Sequence, residues 1–206
     1  MKQYIALDLV LIPSKEWIDI LVDSNQSLPN TVLKLGKQHS IPHLSIGMCR
    51  VEENAIDQLI SKLKVYLEIL DLSELSSLKI TSLYQHNINT IGWNLELNNS
   101  LIGLHHSICA LMKRYHFNQM EKENNTDFCV INKNMPFSGV EYLNTFFDEN
   151  SGKNYQPHIT LGQGNNKMEN NLEGKTIDFD RLALYHMGTG CTCEKELMSL
   201  PLNNNY

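Results

Sequence analysis

Ile41-Pro42-His43-Leu44-Ser45-Ile46-Gly47 returns 115 residues later as Gln156-Pro157-His158-Ile159-Thr160-Leu161-Gly162. Both strings read Pro, His, apolar, hydroxyl, apolar, Gly. At ordinary residue frequencies one such string is expected on the order of once per million positions, so two in 206 residues are not an accident of composition. Their polar-apolar alternation has the period of a β-strand. Successive strand side chains point to opposite faces, which puts His43 with Ser45 on one face and Leu44 with Ile46 on the other, toward a core. His158 and Thr160 stand in the same relation to Ile159 and Leu161. Pro42 and Pro157 suit the first position of a strand, where the missing N–H costs no ladder bond, and each forces its predecessor into an extended conformation. Gly47 and Gly162 are expected where backbone and ligand approach closely.

Each string therefore presents an imidazole and a hydroxyl on one face. Two such units across a cleft supply what cleavage of a phosphodiester requires: one His takes a proton from the nucleophile, the other gives one to the leaving oxygen, and the hydroxyls hold the non-bridging oxygens. A histidine near its free pKa of ~6.5 serves either role, and two coupled rings titrate as a pair. A lone strand histidine among apolar neighbours is more often a packing residue. A core has no need of the same order twice, and this repetition turns the reading toward chemistry.

Outward from these strings, strands are expected at 3–12, 42–50, 77–85, 90–97, 157–163 and 176–187, with a further one at 195–202. One-sided apolar stripes predict helices through Ile56, Leu59, Ile60, Leu63, Leu67 and Leu70, and through Leu101, Leu104, Ile108, Leu111, Met112 and Tyr115. A shorter helix is expected after Ser14, and another from Ser138, where Glu141 would complete a capping box. The alternation lacks the rhythm of a parallel doubly wound sheet, and no glycine-rich phosphate loop opens a helix.

Composition agrees with a globular chain: 42% hydrophobic and 19% charged residues. A net charge of −6 speaks against broad binding to duplex DNA, where clustered Lys and Arg supply the affinity. The segments 24–51 and 150–168, which hold the two strings, contain no Asp or Glu. The apolar run Ile5 to Ile12 is interrupted by Asp8 and has no small-residue cleavage site, so neither a secretory signal nor a membrane span is expected. Five cysteines at irregular spacing predict reduced thiols and a cytoplasmic location. Cys191 and Cys193 make half a zinc shell with no second pair to close it, so no metal and no cofactor are expected.

The two strings resemble the paired His-apolar-Thr/Ser-apolar motifs of the two-histidine (2H) phosphoesterase superfamily, which includes 2′-5′ RNA ligase-like (LigT-like) proteins and cyclic phosphodiesterases. Leu182-Ala183-Leu184-Tyr185-His186-Met187-Gly188 is similar to the closing strand of such proteins, so the resemblance spans nearly the whole chain. It implies His43 and His158 as catalytic acid and base, Ser45 and Thr160 as donors to phosphate oxygens, and a metal-independent mechanism. It also implies an α+β fold: a single bilobal, pseudo-symmetric domain over 1–206, with two antiparallel sheets facing a central cleft and helices outside. Ser45 keeps the hydroxyl of the family's more usual Thr but loses the methyl that stiffens χ1.

Tyr155 and Tyr185 are candidates to stack on a base, and Lys37 and Lys153 to supply field for an anion. His105 reads as packing, and His39, His86 and His116 have no partner motif. The expected activity is metal-independent cleavage of RNA-derived 2′,3′-cyclic phosphates or 2′-5′ linkages, the substrate being a small nucleotide or an RNA terminus. Hydrolysis of signalling cyclic or 2′-5′ oligonucleotides, and a non-catalytic nucleotide- or RNA-binding module, are the alternatives. The oligomeric state is left open.

Overall fold

The computed structural model describes residues 4–37, 39–86, 89–117 and 137–202, with side chains in the last stretch from 139 onward. Strand β1 (Tyr4–Pro13) is apolar on both faces apart from Asp8 and is buried along its whole length. Ser14 follows it and caps helix α1 (Lys15–Gln26) by accepting the Trp17 N–H at 3.4 Å. Then come β2 (Leu44–Glu52), α2 (Ile56–Glu68), β3 (Ser77–His86) and β4 (Thr90–Leu95). Helix α3 (Asn99–Lys113) is capped by Asn98, and α4 (Phe137–Glu149) precedes β5 (His158–Gln163), β6 (Thr176–Gly188) and β7 (Thr192–Pro201). Helices α2 and α3 bury Leu59, Leu63 and Leu67, and Leu101, Leu104, Ile108 and Met112, at the spacing of a single helical face. Every strand and helix expected from the sequence is present, with ends displaced by up to three residues. The capping box at Ser138 falls on a side chain outside the described residues, and α4 starts one residue before it.

The chain is an α+β protein: seven antiparallel strands in the order β1-β2-β5-β4-β3-β6-β7, with four α-helices among the described residues. The strands join into one sheet. Strand β6 ties it together, pairing with β3 over 176–178, with β1 over 179–186 and with β7 over 181–188. No helix among the described residues is long and apolar enough to cross a membrane.

Both motif strands carry a one-residue bulge at the same place. Opposite β1, Leu9 and Val10 face Gly47 and Ser45, skipping Ile46. Opposite β4, Ile91 and Gly92 face Gly162 and Thr160, skipping Leu161. A bulged residue loses its place in the ladder and leaves its backbone groups to find other partners. Here helices provide them: His105 Nδ1 of α3 lies 2.7 Å from the Ile46 carbonyl, and Asn25 Nδ2 of α1 donates to the Leu161 carbonyl at 2.6 Å. Asn25 also donates to the Leu33 carbonyl and accepts the Leu35 N–H.

The motif glycines serve this packing and not a ligand's approach, which corrects the expectation for them. A Cβ on Gly47 would lie 3.1 Å from Ile108 and 3.4 Å from Met112 of α3. On Gly162 it would lie 2.6 Å from Leu28.

Candidate active site

Strands β2 and β5 meet at one paired position, Leu44 opposite Ile159. Antiparallel partners count in opposite directions, so the register sets His43 on the side of Thr160 and Ser45 on the side of His158. Leu44 and Ile159 are buried in the core. Their four flanking neighbours, His43, Ser45, His158 and Thr160, face the other way and line a shared cavity of about 620 Å³.

The two imidazoles are held alike. His43 Nδ1 lies 2.8 Å from the Ile41 carbonyl and His158 Nδ1 lies 2.7 Å from the Gln156 carbonyl. A carbonyl accepts and never donates, so Nδ1 carries the hydrogen in both rings and Nε2 is left to exchange a proton with a ligand. In each case the carbonyl belongs to the residue before proline. The extended backbone that proline imposes there aims that carbonyl at the ring two positions on.

Around the rings the surroundings differ. His43 Nε2 lies 3.9 Å from Asp8 Oδ2. Burial pulls its pKa below the ordinary histidine value, against the carbonyls of Ile41 and Cys191, which favour the charged ring. Cys191 sits in the β6–β7 loop at φ 60, a left-handed backbone unusual for a residue with a Cβ. His158 stacks on Tyr84 of β3, with ring centroids 3.8 Å apart and planes within 11°. Burial lowers its pKa, and positive charge on His43 or His86 lowers it further.

The two hydroxyls differ as well. Ser45 Oγ is hydrogen-bonded to Asp8 Oδ2 at 2.7 Å, so the serine is held by a carboxyl where a threonine's methyl would have fixed the rotamer. Thr160 has that methyl, and its hydroxyl makes no hydrogen bond among the described residues. Asp8, which projects from β1, is fully buried, and burial raises its pKa well above the usual carboxylate value. In the sequence Asp8 stands out merely as a charge interrupting an apolar run. Its signal was available: an acid with no basic neighbour, at the centre of a strand whose every other residue packs inward.

Of the substrate-binding candidates, Tyr155 lines the cavity but is 8% exposed. Its ring stacks on His105 at 3.7 Å, and its hydroxyl donates to the Ser45 carbonyl at 2.8 Å. Tyr155 thereby ties the approach to the second motif onto the first. Tyr185 is buried, donates to Glu196 at 2.8 Å and does not line the cavity. Lys37 and Lys153 are exposed and lie outside the lining. Among the described residues no Lys or Arg lines it. The aromatic lining comes instead from Tyr84 of β3 and from Tyr142 and Phe146 of α4, none of which the sequence marks.

His105 is buried, as its place on the α3 stripe suggests, and its Nε2 accepts the Gly152 N–H at 2.9 Å. His86 lines the cavity, His116 accepts the Arg50 N–H at 3.1 Å, and His39 is exposed. The four described cysteines are free, and no group of three His, Cys, Asp or Glu among the described residues is placed to hold a metal ion.

A scan against models of known protein families and a search of curated proteins both return no match to this chain.

Proposed function

We propose that the protein is a metal-independent phosphodiesterase acting on RNA-derived 2′,3′-cyclic phosphates or 2′-5′ linkages, with His43 and His158 as its acid-base pair. The observation that carries this reading is the grouping of both imidazoles and both hydroxyls around the Leu44–Ile159 bridge, in one cavity, with each Nδ1 tied back to a carbonyl two residues behind it. One ring in its neutral form takes a proton from the attacking water at Nε2. The other, charged, gives one to the departing oxygen. Ser45 and Thr160 donate to the non-bridging oxygens, where negative charge concentrates in the transition state. A cavity of about 620 Å³ suits a nucleotide-sized ligand, and Tyr142 offers aromatic surface on which any base can stack.

The same proposal takes 1–206 as a single bilobal domain of the two-histidine type. Longer ladders run β2-β1-β6-β7 and β5-β4-β3, a three-residue pairing joins β3 to β6, and the motif strands touch at a single pair. Matching bulges at Ile46 and Leu161, each answered by a polar side chain from a helix, support an underlying pseudo-symmetry.

The test is product formation from 2′,3′-cyclic nucleotides and a 2′-5′-linked dinucleotide in EDTA. Wild type is expected to turn over at least one of them. His43→Ala and His158→Ala are each expected to lower the rate by about 10² to 10⁴, and Ser45→Ala and Thr160→Ala by around 10². A His158→Ala variant with full turnover would end the proposal, as would a wild type inert toward every cyclic or 2′-5′ substrate. Tight nucleotide binding without product, surviving both histidine changes, would identify a binding module instead.

A further inference from the structure

Ser45 has one hydrogen to give, and the reading above directs it at a phosphate oxygen. The inference that follows rests on that reading. Ser45 Oγ already shares a 2.7 Å hydrogen bond with Asp8 Oδ2, and two arrangements of protons satisfy the contact. With Asp8 as a carboxylate, the serine donates to it. It then turns nothing but lone pairs to the cavity, and a full negative charge stands behind them. With Asp8 as a carboxylic acid, the carboxyl O–H donates to Oγ and the seryl hydrogen is free for the ligand.

We propose that Asp8 is the positioning residue of the site, working in its neutral form: its carboxyl O–H donates to Ser45 Oγ, fixes the serine rotamer and turns the seryl hydrogen into the cavity. Three observations carry this. Asp8 is 0% exposed, so a charge there would have lost all contact with water. Its Oδ1 finds no hydrogen-bond partner among the described residues, whereas a buried carboxylate is stabilised by several donors. Among the described residues, the ionisable groups that feel its field carry no fixed positive charge: Cys49 on β2, Cys109 on α3, Tyr142 on α4, Tyr155 ahead of β5, and Cys191 and Cys193 at the β6–β7 hairpin. His43, which among the described residues is the basic group paired with it, lies at 3.9 Å, beyond hydrogen-bond range, and burial favours its neutral ring. Burial also raises the Asp8 pKa, in the direction that keeps the proton on.

Asn is the test residue, since its amide N–H donates to Oγ as a carboxylic acid does but never ionises. One arm needs no substrate. Equilibrium unfolding of wild type and Asp8→Asn is compared from pH 4 to pH 8. A raised folded-state pKa means that the folded chain keeps a proton the unfolded chain has lost. The folding constant of wild type should therefore fall relative to Asp8→Asn by up to about tenfold per pH unit above pH ~4, levelling off at the folded-state pKa. Parallel curves would overturn the proposal. The second arm is turnover of a 2′,3′-cyclic nucleotide. Asp8→Asn is expected within about threefold of wild type and Asp8→Ala at least about tenfold lower, while in a Ser45→Ala background the two should be equal. An Asp8→Asn enzyme as damaged as Asp8→Ala would also sink the idea. If wild type turns over nothing, the phosphodiesterase reading fails by itself, and the unfolding curves still decide where the Asp8 proton is.

Discussion

Each motif imidazole commits its Nδ1 hydrogen to a carbonyl two residues behind it, so a single nitrogen per ring remains for chemistry. On the proposed mechanism the reacting state needs one ring charged and one neutral. Burial lowers both pKa values, and charge on His43 lowers His158 further, so that state is populated on the acid side of a free histidine's pKa. We expect kcat/KM for a cyclic substrate to peak below pH 6.5 and to fall toward pH 8, as a pH-rate profile would show. An optimum above pH 7 would contradict the burial of the pair. The histidines and hydroxyls were legible because strand alternation alone puts them on one face. What surrounds them was not. Asp8 lies 37 positions from Ser45 in sequence, and nothing local in Tyr155 says that its ring is taken up by His105. Lys37 and Lys153 sat in acid-poor windows, but distance along a chain does not measure distance to a cavity.

At the level of the elements, the two bulges shape the motif strands, and buried polar side chains from α3 and α1 hold them. Asn25 makes three buried hydrogen bonds, to Leu33, Leu35 and Leu161. Replacing it with Leu keeps the volume and leaves those backbone groups unpaired. Asn25→Leu is expected to cost about 2–4 kcal/mol, measured by urea unfolding, and to reduce turnover more than stability at a permissive temperature, because Leu161 adjoins Thr160. An unchanged denaturation midpoint would show that the brace is idle. The strands could be read from polar-apolar alternation or, for β1, from a nearly continuous apolar run, since both patterns encode burial. The bulges could not. They depend on how many residues of β1 and β4 face each motif, a register set by contacts between distant segments.

For the molecule as a whole, stability and acidity are linked. His43, His105, His116 and His158 are all held below the ordinary histidine pKa, His116 to about 4, with burial the first cause in each case. His105 and His116 also accept backbone N–H bonds that a charged ring would lose. The unfolded chain takes up protons near pH 6.5 while the folded one does not, so this stability is complete above that pH and is lost as pH falls. Four rings outweigh the opposing slope of one Asp8 carboxyl. The urea midpoint at pH 5 should lie below that at pH 7.5. Equal midpoints would mean that the rings titrate normally.

Among the described residues the cavity lining holds no Lys or Arg, while the proposed reaction changes the charge of its ligand. A cyclic phosphate diester enters with one negative charge, and the monoester left after ring opening, with a second pKa of about 6, carries one and part of a second. Hydroxyls and one shared imidazole proton match the first charge. Among the described residues no fixed positive group is present to retain the second. The chemistry thus ends in a ligand that the site holds less well than the one it admitted, and departure of product, which limits many enzymes, is driven here by the reaction's own change of charge.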